Sequence, residues 1–304
     1  MKSKEQMKFA LFGSMFPDRT AKAEEQIIGV CEAINRYGGE LCLPENFFLT
    51  LPANVQQRVA PLCELVEMLP RVDMVVSVGG DGTFLRTAAT VGDTGIPVLG
   101  INTGRLGFLA AINYSDVEET LREVMMGDYK VEERSLLKMI TDETFPPDNF
   151  NAHALNEVAI LKQDTASMLS IHAYINNDYL TSYQADGLVI ATPSGSTAYS
   201  LSIGGSILSP TTPSMILSAI APHNLTSRSL VVDDNSLISL KVESRSHMFL
   251  VSVDGQSRVL DETVSIQVRK AAYTLRVVKR TGHTFYETLR DKLMWGADVR
   301  KQNK

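Results

Sequence analysis

Residues 78–88, VGGDGTFLRTA, place three glycines, an aspartate and a threonine between an apolar segment and a helical pattern. The segment before them, residues 72–78 (VDMVVSV), is typical of a buried parallel strand. Glycines lack a Cβ, so backbone N–H groups in such a turn can approach a phosphate, and the helix beyond offers unpaired N–H donors. The turn is therefore either a strand-to-helix connection capped by Asp81 or Thr83, or a phosphate-binding turn.

The residues around this turn alternate between strand and helix patterns. Strands are predicted at residues 8–16, 72–78 and 96–101, and helices at the apolar stripe of Ile27, Cys31 and Ile34 and at residues 83–91. Ser115 and Glu118 have the spacing of a capping box that would open a further helix, and the prolines within residues 44–70 predict short helices there. Helices between buried strands predict a doubly wound α/β domain with a parallel sheet.

The second half of the chain changes to period-two patterning with Asp, Asn and Gly turns, which predicts an antiparallel, β-rich domain. The tail is helical again, with Phe285, Leu289 and Leu293 on one stripe that must be buried against other residues. We therefore expect residues 1–130 and 281–304 to form the α/β domain and residues 131–280 to form the β-rich domain.

The composition excludes several classes of protein. With 29 basic and 35 acidic residues the net charge is −6, which argues against broad binding to nucleic acid or to an anionic membrane. The three cysteines have no CxxC spacing, so neither a disulfide framework nor a zinc site is indicated. The N-terminus lacks a signal-peptide pattern, and no apolar run approaches the roughly 20 residues of a membrane span. A cytoplasmic location is expected.

Two further stretches have the composition of ligand-binding loops. Residues 100–110 (GINTGRLGFLA) follow the next strand, so both turns should lie at one edge of the sheet. Between Thr192 and Ser202, seven of eleven residues carry hydroxyls that could bind a ribose, phosphates or a base edge. The composition of residues 192–202 is also explained by a solvated loop with a Ser or Thr N-cap. Because Asp81 would stand beside a polyphosphate, a bound Mg²⁺ is also expected.

Taken together, these segments resemble the NAD kinase family. The resemblance is carried, in the family's order, by GGDGTFLR (79–86), INTGRLGFLA (101–110), LNEVAI (155–160), ADGLVIATPSGSTAYSLSIGG (185–205), APH (221–223) and VDGQ (253–256). It implies transfer of the γ-phosphoryl group of ATP to the 2′-hydroxyl of the adenosine ribose of NAD. It also implies a homo-oligomer, a dimer or a tetramer.

The resemblance also implies roles for individual residues. Asp81 would be the catalytic carboxylate, with Gly82 beside it and Arg86 facing the phosphates. Asn156 and Glu157 would hold ribose hydroxyls, and Asp186 would reach a nucleotide in a neighbouring subunit. The adenine and ribose would be lined by Thr197, Ala198, Tyr199, Ser200, Leu201 and Ser202, with Gln256 closing the site.

Two other functions remain open from the sequence. A lipid kinase shares the GGDGT turn, although the second half has hydroxyl-rich loops rather than an apolar channel mouth. A catalytically silent NAD sensor would keep the same pocket, although the intact glycine turn argues for chemistry.

Overall fold

The computed structural model describes residues 6–14, 21–104, 107–142, 150–164 and 167–295. The chain divides into two units, Met1–Glu133 with Leu275–Lys304 and Arg134–Thr274. The sequence-based boundaries, after residues 130 and 280, lie within a few residues of these divisions. The predicted strand at residues 8–16 and the predicted turn at 100–110 each include residues outside the described part, namely 15–16 and 105–106.

The first unit alternates strands and helices along the chain. Its elements are β1 (Lys8–Gly13), α1 (Ala21–Arg36), β2 (Glu40–Pro44), α2 (Glu45–Phe48), α3 (Ala53–Val59), β3 (Glu64–Val66), β4 (Met74–Val78), α4 (Asp81–Val91), β5 (Val98–Asn102), β6 (Ile112–Asn113), α5 (Val117–Met126) and the start of β7 (Tyr129–Thr141).

The strands of this unit form a parallel sheet in the order β3-β2-β1-β4-β5. All five residues of β4 are buried, as are all five of β5, because helices cover both faces of a doubly wound sheet. The stripe of Ile27, Cys31 and Ile34 on α1 is fully buried against the sheet's apolar side chains. The predicted doubly wound α/β fold is confirmed.

Two local predictions in the first unit need correction. The capping box at Ser115 and Glu118 does not form: Ser115 lies in a 3₁₀ turn and bonds to Asp116, while Glu118 pairs with Arg36. An interhelical ion pair has replaced the local cap. The helix predicted to begin at about residue 83 begins two residues earlier, at Asp81, with Gly80 as its N-cap.

The second unit is built almost entirely of strands. Its elements are the rest of β7, then β8 (His153–Ala154), β9 (Glu157–Lys162), β10 (Leu169–Ile175), β11 (Asp178–Ala185), β12 (Gly187–Ala191), α6 (Tyr199–Ser202), β13 (Ser214–Ile220), β14 (Leu230–Asp233), β15 (Ile238–Glu243), β16 (Met248–Val253), β17 (Gln256–Asp261) and β18 (Ile266–Arg280), whose last residues belong to the first unit.

These strands pair antiparallel, as the period-two pattern predicts. One sheet has the order β14-β13-β12-β9-β16-β17, and β11, β10, β15 and the start of β18 pair next to one another in a second group. Alternate side chains of β16 are buried, and Phe249 lies in one apolar cluster with Ile160 and Ile171. The core of the unit is thus made by the inward residues of both strand groups.

The final helix, α7 (Phe285–Leu293), belongs to the first unit. Thr284 and Glu287 form a reciprocal capping box at its start, and the ring of Phe285 lies 6.3 Å from that of Phe108. The predicted return of the tail helix to the first domain is therefore confirmed. Trp295, two residues beyond α7, is 58% exposed. Among the described residues, no helix has both the length and the apolar character to cross a membrane.

Candidate active site

The glycine turn opens the N-terminus of α4. Gly79 has φ +157°, and a Cβ there would lie 2.4 Å from the Thr83 hydroxyl oxygen, so this position requires glycine. A Cβ at Gly80 or Gly82 would meet nothing within 4 Å, and no side chain of the described residues caps the helix. The Thr83 and Phe84 amides donate to the Gly80 carbonyl, and the open space around Gly80 and Gly82 lets an anion approach the start of the helix.

The Asp81 carboxylate is held by the second turn. Its oxygens accept the backbone N–H groups of Phe108, Leu109 and Ala110 at 3.0, 3.1 and 3.0 Å. A Cβ at Gly107 would lie 1.9 Å from Asp81 Oδ1, so only glycine allows this close approach. The prediction that the two turns lie together at one sheet edge is confirmed for residues 107–110.

A lysine that the sequence analysis missed joins this carboxylate. Lys292 of α7 places Nζ 3.5 Å from Asp81 Oδ2 and 4.4 Å from the centre of the Phe108 ring. Its position depends on how the last helix packs on the first unit, which no local sequence signal reports.

Arg86 lies on the second turn of α4, on the same side as Thr83. Its Nη2 atom is 3.4 Å from the Thr83 hydroxyl, and burial lowers the pKa of the guanidinium. A partly desolvated guanidinium near a helix N-terminus is a suitable group for binding phosphate.

In the second unit, Asp254 organises the segment before β9. Asp254 has φ +47° in the β16–β17 turn, and its carboxylate accepts the amides of Leu155, Asn156 and Glu157 at 2.7, 2.9 and 3.0 Å. Burial nevertheless raises its pKa to about 6. The sequence analysis did not anticipate this role, because its partners lie about a hundred residues away.

Asn156 and Glu157 lie side by side at the start of β9, as their proposed roles require. The Oδ1 atom of Asn156 and the Oε2 atom of Glu157 are buried, and neither has a hydrogen-bond partner in the described part of the chain. Burial, and secondarily the charge of Asp254, raise the pKa of Glu157 to about 8, against a hydrogen bond from the Tyr199 amide that lowers it. Unpartnered buried polar atoms indicate room for a ligand's hydroxyls.

The hydroxyl-rich loop directs many of its hydroxyls inward. Thr192 bonds to the Leu155 carbonyl at 2.5 Å, Ser196 to the Pro193 carbonyl at 2.6 Å and Thr197 to the Ser194 carbonyl at 3.0 Å. These bonds stabilise the loop itself, which the composition could not distinguish from ligand binding.

Among the remaining predicted loop residues, Ser200 is buried, with its hydroxyl 3.4 Å from that of Ser218. Tyr199 is 36% exposed, Ala198 and Leu201 are half-buried, and Ser202 is exposed. The sequence analysis also missed Arg134, which is 3% exposed and donates to the Ser194 hydroxyl at 3.1 Å.

Asp186 and Gln256 lie outside this loop. The Asp186 carboxylate, just before β12, is 2.8 Å from Lys162 Nζ. Gln256 begins β17 and is exposed, and its Oε1 atom accepts the Asn151 amide at 3.5 Å.

Open helix amides at the carboxyl end of a parallel sheet are where α/β proteins bind phosphates, so the fold and site define a nucleotide-binding protein. The chain belongs to the NAD kinase family. The family model for the ATP-NAD kinase N-terminal domain matches residues 27–129, and that for the ATP-NAD kinase C-terminal domain matches residues 155–280.

Similar proteins support this assignment. An NAD kinase of Bacteroides fragilis is 47% identical over 294 residues, which span 97% of this chain and 100% of that protein. The structure of an NAD kinase from Archaeoglobus fulgidus in complex with ATP has a TM-score of 0.73 at 25% identity, covering 95% of this chain and 99% of that one. Yeast NADH kinase complexed with NADH has the same fold, with a TM-score of 0.82 at 24% identity over 97% and 89% of the two chains.

Proposed function

We infer that this protein transfers the γ-phosphoryl group of ATP to the 2′-hydroxyl of the adenosine ribose of NAD, which gives NADP and ADP. The observation that carries this function is the intact Gly79–Thr83 turn with its carboxylate, in a chain that matches both domains of the NAD kinase family. Membership in that family argues against the lipid kinase, and the intact turn argues against a silent sensor.

NAD is bound, in this proposal, by the loops of the second unit. The buried Asn156 Oδ1 and Glu157 Oε2 atoms accept ribose hydroxyls, and the half-exposed ring of Tyr199 packs against the adenine. Residues 197–202 line the base and ribose through backbone and exposed side-chain atoms, while the buried Ser200 shapes the loop from within. Gln256, exposed on β17, closes the site.

Asp81 supplies the chemistry in the first unit. Phosphoryl transfer has a loose transition state, so positioning and charge stabilisation dominate. The amides of residues 108–110 and the Lys292 ammonium orient the Asp81 carboxylate. It aligns the 2′-hydroxyl and takes its proton late. The hydroxyl oxygen bonds to the γ-phosphorus, the bond from that phosphorus to the β,γ-bridging oxygen breaks, and ADP leaves with that electron pair.

A divalent cation, Mg²⁺, enters this proposal with the nucleotide. Among the described residues, no group of three or more His, Cys, Asp or Glu side chains could hold a metal. Kinases bind Mg²⁺ mainly through substrate phosphates and one or two carboxylates. Asp81 is the carboxylate beside the phosphates, and the cation would neutralise the charge of the phosphates there.

We further propose a homo-oligomer, a dimer or a tetramer, in which Asp186 reaches a nucleotide of a neighbouring subunit. A cytoplasmic location is supported by the three cysteines, none of which forms a disulfide.

The test is an assay of purified protein with NAD, ATP and Mg²⁺, in which NADP is detected by an NADP-specific dehydrogenase. Asp81→Asn should lower kcat by about 100-fold or more, as expected for a positioned acid–base group, with an unchanged melting temperature. The exposed Asp93→Asn, in the loop after the same helix, serves as the matched control and should retain full activity. Near-full turnover by Asp81→Asn would show that Asp81 is not a catalytic residue. If the wild-type protein binds NAD but forms no NADP, the protein is the catalytically silent NAD sensor.

A further inference from the structure

A cleft of about 500 Å³ lies in the first unit, beside the glycine turn. We propose that it holds the adenosine part of the donor nucleotide, so that a purine nucleoside triphosphate lies across the strand ends with its terminal phosphate at the turn that begins α4. The inference rests on the proposed function, because it names the place of the phosphoryl donor. The volume is within the range of about 300–1,000 Å³ that small-molecule sites occupy.

The cleft lies where an α/β fold binds nucleotides. Its residues follow the carboxyl ends of four strands that are neighbours in the sheet: Gly13 ends β1, Pro44 ends β2, Glu67 follows β3, and Thr83 comes after β4. Three strand spacings amount to about 14 Å, which suits an elongated ligand laid across the strand ends. Ligands of open α/β sheets bind at this edge.

The end of the cleft at α4 has the chemistry for phosphates. Thr83 and Arg86 belong to its lining, and the same helix begins at the uncapped Gly80 with open space around Gly80 and Gly82. A hydroxyl and a guanidinium therefore line the end of the cleft nearest the N-terminus of α4 and Asp81. A triphosphate placed here would present its terminal phosphorus to the residue that we propose as catalytic.

The opposite end has the chemistry for a nucleoside. The lining after β3 includes Met68 and Leu69, and Met68 is 82% exposed, an apolar surface that a purine would cover. Asn46 and Glu67 provide acceptors for ribose hydroxyls or an exocyclic amine. The Glu67 carboxylate would repel a phosphate, so the polarity of the cleft fixes the direction of the ligand.

The experiment blocks the cleft with a tryptophan introduced on either of two elements that line it. Thr90→Trp on α4 and Asn46→Trp on α2 each introduce a ring at an exposed lining residue, which lowers the risk of misfolding. Their neighbours Ala89→Trp and Glu45→Trp are exposed but outside the lining and serve as matched controls. We measure KM for ATP and for NAD, and the Kd of the non-hydrolysable analogue AMP-PNP, which requires no turnover.

Both cleft variants should raise KM for ATP and Kd for AMP-PNP about ten-fold or more, the loss expected when a stacked base is displaced. KM for NAD should stay within two-fold, and both controls should match the wild type. An unchanged Kd for AMP-PNP in both cleft variants, or an equal rise in KM for NAD, would overturn the proposal. A second outcome would also overturn it. If inorganic tripolyphosphate binds the wild type as tightly as AMP-PNP does, and both cleft variants lose the same affinity for it, the cleft holds phosphate alone. A wild-type protein that binds AMP-PNP in the cleft but forms no NADP would defeat the proposed function instead.

Discussion

Two carboxylates, one in each unit, hold loops in the same way. Asp81 accepts three consecutive amides from residues 108–110, and Asp254 accepts three from residues 155–157. In both places one charged side chain holds three consecutive backbone amides, and hydrogen bonds to an ionised acceptor are stronger than neutral ones. The proposed ligand-binding residues Asn156 and Glu157 are thus positioned by a residue far away in sequence.

Glu157 should make stability depend on pH. Its pKa is raised from the ordinary 4.5 to about 8 by burial, so the favourable contribution of its neutral form is complete below pH 4.5 and is lost as the pH rises toward 8. In this interval the unfolded chain releases the proton while the folded protein keeps it. Glu157→Gln removes this penalty, so relative to the wild type its free energy of unfolding should rise by about 3 kcal/mol between pH 5.5 and 8.5.

Urea denaturation at the two pH values measures this difference. Glu133→Gln, at an exposed position, should follow the wild type at both. If the wild type and Glu157→Gln differ by the same free energy at pH 5.5 and 8.5, the carboxyl is not neutral in the folded protein.

At the scale of elements, the contact between α4 and the loop after β5 holds Asp81, the proposed catalytic residue, in place. Gly107→Ala would put a Cβ 1.9 Å from Asp81 Oδ1, so the loop or the carboxylate must shift and the three amide bonds must lengthen. We expect kcat to fall about 100-fold, since a displacement of about 1 Å can have this effect on a positioned group.

Gly104→Ala in the same loop is the matched control, because a Cβ there meets nothing within 4 Å among the described residues. It should retain activity within two-fold. We compare kcat of the two variants by steady-state kinetics and verify their folding by thermal melts. Equal activity of both variants would show that the Asp81 carboxylate does not need the cradle formed by residues 107–110.

At the scale of the whole molecule, we expect that a mutation can abolish catalysis without abolishing NAD binding. Because most of the proposed NAD ligands belong to the second unit and Asp81 to the first, Asp81→Asn should keep NAD binding while losing turnover. NAD at 100 times its Kd stabilises a protein by about 2.7 kcal/mol, which corresponds to a melting temperature higher by about 5 °C.

Differential scanning fluorimetry with NAD tests this on the wild type and Asp81→Asn together. Nicotinamide mononucleotide at the same concentration, which lacks the adenosine, is the control ligand and should give a much smaller shift. A missing shift in Asp81→Asn alone would mean that the carboxylate is needed for binding as well as for catalysis.

The sequence by itself determined the two kinds of sheet, the glycine turn and its neighbour at one sheet edge, and the family. Hydrophobic period and turn chemistry are local properties, and the parallel order of β4 and β5 then brings their carboxyl ends together. Only the tertiary structure decided that Lys292 reaches Asp81, that Asp254 holds the Asn156–Glu157 segment, and that the Thr192 hydroxyl bonds to the Leu155 carbonyl. These contacts join residues from 37 to more than 200 positions apart, and burial and packing, which no local pattern encodes, determine them.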